Sequence, residues 1–528
     1  MIKMEKNADE DGKKRAQWLI FAIVVGILSW AVRMAQTGIR GIGDSDYYWH
    51  ITLGKYILEN QSIFREDRFS WIAAERGYVE TAHSWLGSVI ICLFSNFSSN
   101  PIIGAALFTG FTTAAISFAM ICVYGSPFDK ENPKCDFLNA LLSIIIGLAI
   151  VLIPVQPRPL NFGLLLFVLT MILLHDGFEN PESRKCGWLP AISLLWANLH
   201  GGSVPILFAF HGLFLVLSTL PSFSWKGIGQ TSRRTAGRIR RFALLWIADT
   251  AAALVNPYRW RLLIYSFHTN SEATKKYVME WYPAKLLNLA VLAALLVLLM
   301  ALLLREERKP IELSYLLPVL ATLFMTGKYV RIEPYLILCS LMLIWHVLHT
   351  AFGTWIPKKL NSVRVKRITA LLATVSAAMI FFSAAVTSDK FVNHVSRAGD
   401  PLPQGLLEAI DELQPERMYT TYNDGGYLIY HGYQSFIDSR ADLFPGSMLN
   451  RAIEFASLKN FSSDELEEYI QEYDFDAILL SHGNTLNVWL TLHPNWEPVY
   501  EDETFSLYKK TEEKKIVLKS PKVDISTN

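Results

Sequence analysis

The chain has 528 residues, of which 51% are hydrophobic and 18% charged, with a formal net charge of +1. A soluble domain carries nearer a quarter charged residues, and a charge so close to neutral offers no bulk attraction for nucleic acid. The apolar residues gather into long runs at 18–31, 107–123, 138–155, 160–174, 204–220, 286–304 and 369–386. A bilayer core of about 30 Å is crossed by roughly 20 helical residues, and no soluble core houses so many runs of that length. The expected fold class is a polytopic α-helical membrane protein, with about 11–13 transmembrane helices and a small C-terminal α/β domain.

Along the chain, Lys13, Lys14 and Arg15 precede the first run, and Trp30, Arg33 and Met34 stand where a cleavage site needs small residues. The segment reads as a retained span rather than a signal peptide. The large first loop, 36–82, follows. It contains Gly43-Asp44-Ser45-Asp46-Tyr47-Tyr48-Trp49-His50, then Gly54, then Asp67-Arg68-Phe69-Ser70. Two carboxylates two residues apart beyond a membrane helix can converge on one hydroxyl or one divalent cation. Close pairing raises one of the two pKa values and equips that group as a general base. The plainer reading is that Asp44 or Asp46 caps a short interfacial helix whose Tyr47, Tyr48 and Trp49 lie in the aromatic belt. Residues 83–96 form a short or re-entrant element, unless a crossing is hidden elsewhere.

Polar motifs recur at the ends of the later runs: Gln156-Pro157-Arg158-Pro159, Trp196-Ala197-Asn198-Leu199-His200-Gly201-Gly202, Asn256-Pro257-Tyr258-Arg259-Trp260-Arg261 and Gly327-Lys328-Tyr329-Val330-Arg331. Each alone has a plain explanation: snorkelling for Arg158, Arg259 and Arg261, a satisfied helix-end imidazole for His200. Ionisable groups at membrane depth are costly, however, and several opening on one side mark a site. The loops 225–241 and 352–367 are basic without acidic residues, which places them in the cytoplasm and the four motifs outside with Asp44 and Asp46. Five cysteines, Cys92, Cys122, Cys135, Cys186 and Cys339, sit in or beside apolar runs without CxxC spacing, so no structural zinc site is expected.

The first domain accordingly covers 1–386. From 387 to 511 the pattern becomes that of an extracytoplasmic α/β domain, followed by a charged, disordered tail, 512–528. Strands are expected at 417–422, 434–437 and 475–480, and a closing hairpin from 496–501 and 504–509. An amphipathic helix over 463–473 begins with a Ser462/Glu465 capping box. If 436–443 stays extended, Asp438, Arg440 and Asp442 share one strand face. That row either pairs internally as an ion cluster or, with Asp424 and Tyr427, guides an acceptor.

Several strings together resemble a bacterial family of GT-C-like integral membrane proteins: Asp44-x-Asp46-x-x-Trp49-His50-x-x-x-Gly54, Asp67-x-Phe69-Ser70, His83-x-Trp85-Leu86, the motifs around Arg158, His200 and Arg259, and 422–429 with 436–443. The chain departs from that pattern at Asp424, where Trp is expected, and at Ser439, where Gly is expected. The resemblance implies a GT-C glycosyltransferase, similar to protein O-mannosyltransferases and aminoarabinose transferases. Such an enzyme moves a sugar from a polyprenyl-phosphate carrier to a glycan, lipid or protein acceptor at the external face of the cell membrane. It further implies that Asp44 or Asp46 deprotonates the acceptor and that Arg158, Arg259, Arg261, Lys328 and Arg331 receive the leaving phosphate. Trp49, His50, His83, Asn198 and His200 are the implied substrate-binding residues. A divalent cation is left open by the resemblance and no metal ligand is assigned. The rival functions are a transporter or flippase of a lipid-linked glycan, a polymerase or ligase of envelope glycans, and a non-catalytic envelope scaffold.

Overall fold

A computed structural model describes residues 2–64, 66–124, 136–225, 228–230, 236–268, 276, 278–285, 311–352 and 402–511. The expected spans 286–304 and 369–386, the basic loop 353–367, Cys135 and the tail 512–528 lie outside the described residues. The chain divides into two compact units: Met1–Ile63 with Thr81–Asp400, and Phe64–Glu80 with Pro401–Asn528.

The first unit is helical. Its elements in the order used here are α1 (Ile2–Arg40), α2 (Asp46–Asn60), α4 (Trp85–Ser95), α5 (Pro101–Tyr124), α6 (Asp136–Leu152), α7 (Leu160–Glu179), α8 (Leu189–Leu199), α9 (Val204–Thr219), α10 (Ala236–Ala253) and α11 (Trp260–His268), with α3 (Trp71–Glu75) belonging to the second unit. Helices Leu313–Thr326 and Glu333–Phe352 follow. Among the described residues, five segments are long and apolar enough to cross a bilayer: Trp18–Arg40, Pro101–Val123, Leu160–Glu179, Gly201–Thr219 and Val330–Val347. The chain is a multi-pass membrane protein.

The first span runs past the apolar run 18–31 to Arg40 and so takes in Arg33. Arg33 is buried, and its guanidinium donates to the carbonyls of Ile150 (3.3 Å), Val151 (2.7 Å) and Ile153 (2.8 Å) and to Thr113 (3.3 Å). A helix end leaves its last carbonyls without partners; Arg33 satisfies those at the end of α6, and this makes a cation tolerable inside the bundle. The 83–96 segment contains α4, which has 11 residues and is too short to cross alone. It packs on α2 at Gly54, where any side chain would strike the Ser88 backbone. His50 joins the same contact through a 2.8 Å hydrogen bond between its Nδ1 and Ser88 Oγ.

The second unit is a small α/β domain. Its sheet has the strand order Met418–Tyr419, Ala477–Ser481, Phe505–Lys510, Trp496–Glu501; the first pair is parallel and the others antiparallel. The closing hairpin is present as expected. So is the helix Ser463–Tyr473, whose Ser462 and Glu465 form the reciprocal capping box.

Two expectations fail here. Residues 434–437 are not a strand and make a single bridge, Ser435 to Ser70. Side-chain hydroxyls take the backbone groups that a strand ladder would use. Thr420 Oγ1 accepts from the Phe436 N–H (2.9 Å) and donates to the Ile437 carbonyl (3.1 Å), while Ser70 Oγ donates to the Phe436 carbonyl (2.8 Å). Nor does 436–443 stay extended, so Asp438 and Arg440 are buried while Asp442 is exposed. The segment Phe64–Glu80 completes the domain. Trp71 packs against Phe436 (ring centroids 5.3 Å apart) and donates its indole N–H to the Met418 carbonyl (3.1 Å).

Arg440 is the buried centre of this unit. It donates to Asp67 (2.5 Å), Glu80 (2.5 Å) and Asp438 (2.8 and 2.7 Å). Burial works against its charge, but Asp438, Glu80 and Asp67 outweigh it and hold the guanidinium pKa well above its usual value. Burial pushes the Glu80 carboxyl up to about 7; Arg440 opposes the shift and Asp67 adds to it.

Candidate functional site

The site lies in the first unit and starts where α1 ends. Gly41 takes a positive φ of 71° and its N–H bonds back to Thr37 (2.9 Å), which stops the helix. Five residues later α2 begins at Asp46. Asp44 accepts the Asp46 backbone N–H (3.1 Å), and Asp46 accepts the indole N–H of Trp49 (3.2 Å). The capping role and the pairing of carboxylates therefore coexist: Asp44 tethers the helix start and still has both oxygens on a cation.

That cation is Arg158. It stands in the turn between α6 and α7, between Pro157 and Pro159, whose fixed φ angles stiffen the turn. Its Nε and Nη2 grip the two oxygens of Asp44, the latter at 2.7 Å. Its Nη1 lies 3.1 Å from Asp46 and 2.6 Å from Glu280. Bidentate pairing of this kind fixes the carboxylate plane as well as its charge. Burial raises the Asp44 pKa above the usual carboxylate value, the neighbouring Asp46 raises it further, and Arg158 opposes both.

Behind this cluster lies a group of imidazoles. His50 is within electrostatic range of His83, Arg158 and His200. The rings of His83 and His200 are 5.6 Å apart, and His83 also stacks on Tyr265 (5.0 Å). The His83 carbonyl accepts the Gly201 N–H (2.8 Å), at a place where a side chain on residue 201 would collide with Leu262. His200 is fixed by a 2.6 Å hydrogen bond to Ser203, which also accepts from Trp196 (2.8 Å).

The expected site residues thus divide. Asp44, Asp46, Trp49, His50 and Arg158 come together, as do His83 and His200. Arg331 is half-buried over the Trp281 ring (4.5 Å) and within electrostatic range of His200. Asn198 is engaged structurally: its carbonyl oxygen takes Trp85 (3.0 Å) and its amide N–H groups reach Leu194 (2.8 Å) and Val255 (2.9 Å). Arg259, Arg261 and Lys328 are exposed, Arg261 beside Trp260 and Lys328 beside Phe324. Glu280 escaped sequence reasoning because nothing local distinguishes it from any surface glutamate. Among the described residues, no group of three or more His, Cys, Asp or Glu side chains is arranged to hold a metal ion. Arg158 fills the point on which the three carboxylates converge, so this arrangement does not fit a divalent cation.

No family profile and no curated protein sequence matches the chain. Solved structures do. ArnT from Cupriavidus metallidurans, bound to undecaprenyl phosphate, is similar over 93% of this chain and 98% of its own, with 13% identity and a TM-score of 0.52. The Archaeoglobus fulgidus oligosaccharyltransferase in its apo form matches over 88% of this chain and 69% of its own, with 11% identity and a TM-score of 0.48. The first likeness shows the fold alone: this chain shares the overall architecture of the ArnT structure, in keeping with the GT-C-like fold expected from the sequence.

Proposed function

We propose that the protein is a membrane glycosyltransferase that moves a sugar from a polyprenyl-phosphate-linked donor to a cell-envelope acceptor on the extracytoplasmic face. The observation that supports this most is the meeting of Asp44, Asp46, Arg158 and Glu280 beside a cluster of histidines, at the ends of membrane helices in a GT-C fold. An acceptor hydroxyl gives its proton to the carboxylate pair, of which Asp46 is the more open. The hydroxyl oxygen forms a bond to the anomeric carbon in line with the bond that breaks, and polyprenyl phosphate leaves with that electron pair. Arg158 and Arg331 meet the charge on the departing phosphate. The carboxyl of Asp44 keeps its proton to higher pH than usual, which suits it to share the acceptor proton with Asp46.

The test is transfer of a labelled sugar from polyprenyl phosphate in reconstituted membranes. Transfer with loss of the donor label supports the reading, whereas movement of intact donor across the bilayer would replace it with a flippase. Orientation is tested by placing a single cysteine at Ser463 in a background without reactive native thiols. Labelling of intact cells by an impermeant reagent supports an external second unit; protection until lysis overturns it.

A further inference from the structure

Arg158 has more carboxylates than it can serve equally. Asp44 occupies the Nε–Nη2 edge, with a side chain 6% exposed, and Asp46 approaches Nη1 with a side chain 14% exposed. Both come from the same turn at the start of α2. Glu280 differs in every respect. It reaches Nη1 from the one-turn 3₁₀ helix Met279–Trp281, far away in sequence, and its side chain is 35% exposed. Its 2.6 Å contact is shorter than the 3.1 Å contact of Asp46 on the same nitrogen. The Glu280 turn is anchored where Arg331 stands: Trp281 lies under Arg331 and edge-on to Tyr329 (5.5 Å), and the Val330 N–H bonds to the Tyr282 carbonyl (2.7 Å). Glu280 is thus a part-exposed anion held by Arg158, on a turn whose next residue, Trp281, lies against Arg331.

We propose that Glu280 is a placeholder for the donor's phosphate. Resting on the glycosyltransferase reading above, this inference makes the carboxylate the occupant of Arg158 Nη1 when no donor is bound. A phosphate oxygen arriving from the open side takes its place, and the guanidinium keeps its grip on Asp44 throughout. A carboxylate and a phosphate present similar oxygens to one N–H donor, so the exchange costs Arg158 no unpaired charge. Without an anion at that position, Nη1 would draw closer to Asp46 and tie down the more open of the two carboxylates. Glu280 is a positioning residue in this scheme. It keeps Asp46 available before the donor arrives and competes with the donor for Arg158.

The experiment measures binding of undecaprenyl phosphate, with undecaprenol as the uncharged control, to the full chain in lipid nanodiscs. Glu280→Gln keeps the shape and removes the charge. Phosphate binding is expected to tighten roughly two- to fivefold, the range of a screened charge contact, with undecaprenol unchanged and with the donor KM falling more than kcat changes. In an Arg158→Gln background the same Glu280→Gln change is expected to have no effect on phosphate binding. Glu280→Ala serves as a second removal of the charge, and thermal melting of each variant confirms folding. Equal or weaker phosphate binding in folded Glu280→Gln overturns the placeholder while leaving the transferase reading intact. An equal gain for undecaprenol, or a gain that survives Arg158→Gln, overturns it as well. Failure of the unaltered protein to bind undecaprenyl phosphate overturns both.

Discussion

Among the described residues, Arg158 and Arg440 are each surrounded by three carboxylates, and their surroundings differ in kind. Arg440 and its partners Asp67, Asp438 and Glu80 have side chains no more than 6% exposed. Arg158 is 27% exposed and its partner Glu280 35%. The same chemistry therefore does different work. A sealed cluster fixes one conformation, because removing any member strands a charge away from water. An open one can exchange a member for an incoming anion, because water and ligand both reach it. Excess negative charge alone does not distinguish a site from a joint; access does.

The comparison is broken or sharpened most severely at the carboxylate pair. Asp44→Asn and Asp46→Asn are expected to lower transfer roughly 10²–10⁴-fold, the contribution of a general base. Folding should change by only about 1 kcal/mol, the size of a lost helix cap. Normal transfer by both variants would make the open cluster as structural as the sealed one. Arg440→Ala is expected to act in the opposite sense. It leaves three buried carboxylates unpaired and should lower the stability of the second unit by about 3–5 kcal/mol. Hydrogen-exchange protection over 402–511 in the full chain reads that loss. If protection holds while transfer falls, Arg440 belongs to the chemistry.

A smaller effect is expected from pH. Burial pushes the Glu80 carboxyl up to about 7 from an ordinary 4.5, with Arg440 opposing and Asp67 and Asp442 adding to the shift. A carboxyl raised in this way binds its extra proton in the native state. Its stabilising contribution is whole below the unfolded pKa and is lost as pH rises through the folded one. Protection factors in the second unit should therefore decline between about pH 4.5 and 7 and level off above, and Glu80→Gln should flatten that decline. A pH-independent profile in the unaltered protein would show that Glu80 is ionised throughout. The smallest effect is expected at the exposed Asp442, where Asp442→Asn should stay within about 0.5 kcal/mol; a larger loss would restore the three-residue row that the fold does not form.

How much of this was legible in the sequence depended on distance along the chain. The Ser462/Glu465 cap and the membrane runs 18–31, 107–123, 160–174 and 204–220 are local patterns, an i, i+3 pair and a hydropathy window, and they appear where expected, whereas the run 138–155 holds only a shorter apolar helix, Ser143–Leu152. Asp44 and Asp46 could be singled out because two carboxylates beside a span are rare in themselves. Their partner Arg158 lies 114 positions away; the basic loops put it on the same side of the membrane, but no local pattern paired it with Asp44. The cage around Arg440 was half visible. Asp438 is two residues off, whereas Asp67 and Glu80 are 373 and 360 positions away in a loop that reads as part of the membrane unit. The false strand at 434–437 is a four-residue run, too short for its pattern to decide, and hydroxyls from Thr420 and Ser70, both in other segments, claim its backbone.

The division of the second unit between Phe64–Glu80 and the C-terminal part of the chain also has a consequence for synthesis. Trp71 and Asp67 leave the ribosome early, but Arg440 follows 373 positions after Asp67. At the usual elongation rate that is a wait of roughly 20–70 seconds, during which the nascent loop carries a bare tryptophan and two carboxylates without their cation. The loop therefore cannot reach its folded contacts until the chain has been made past Arg440.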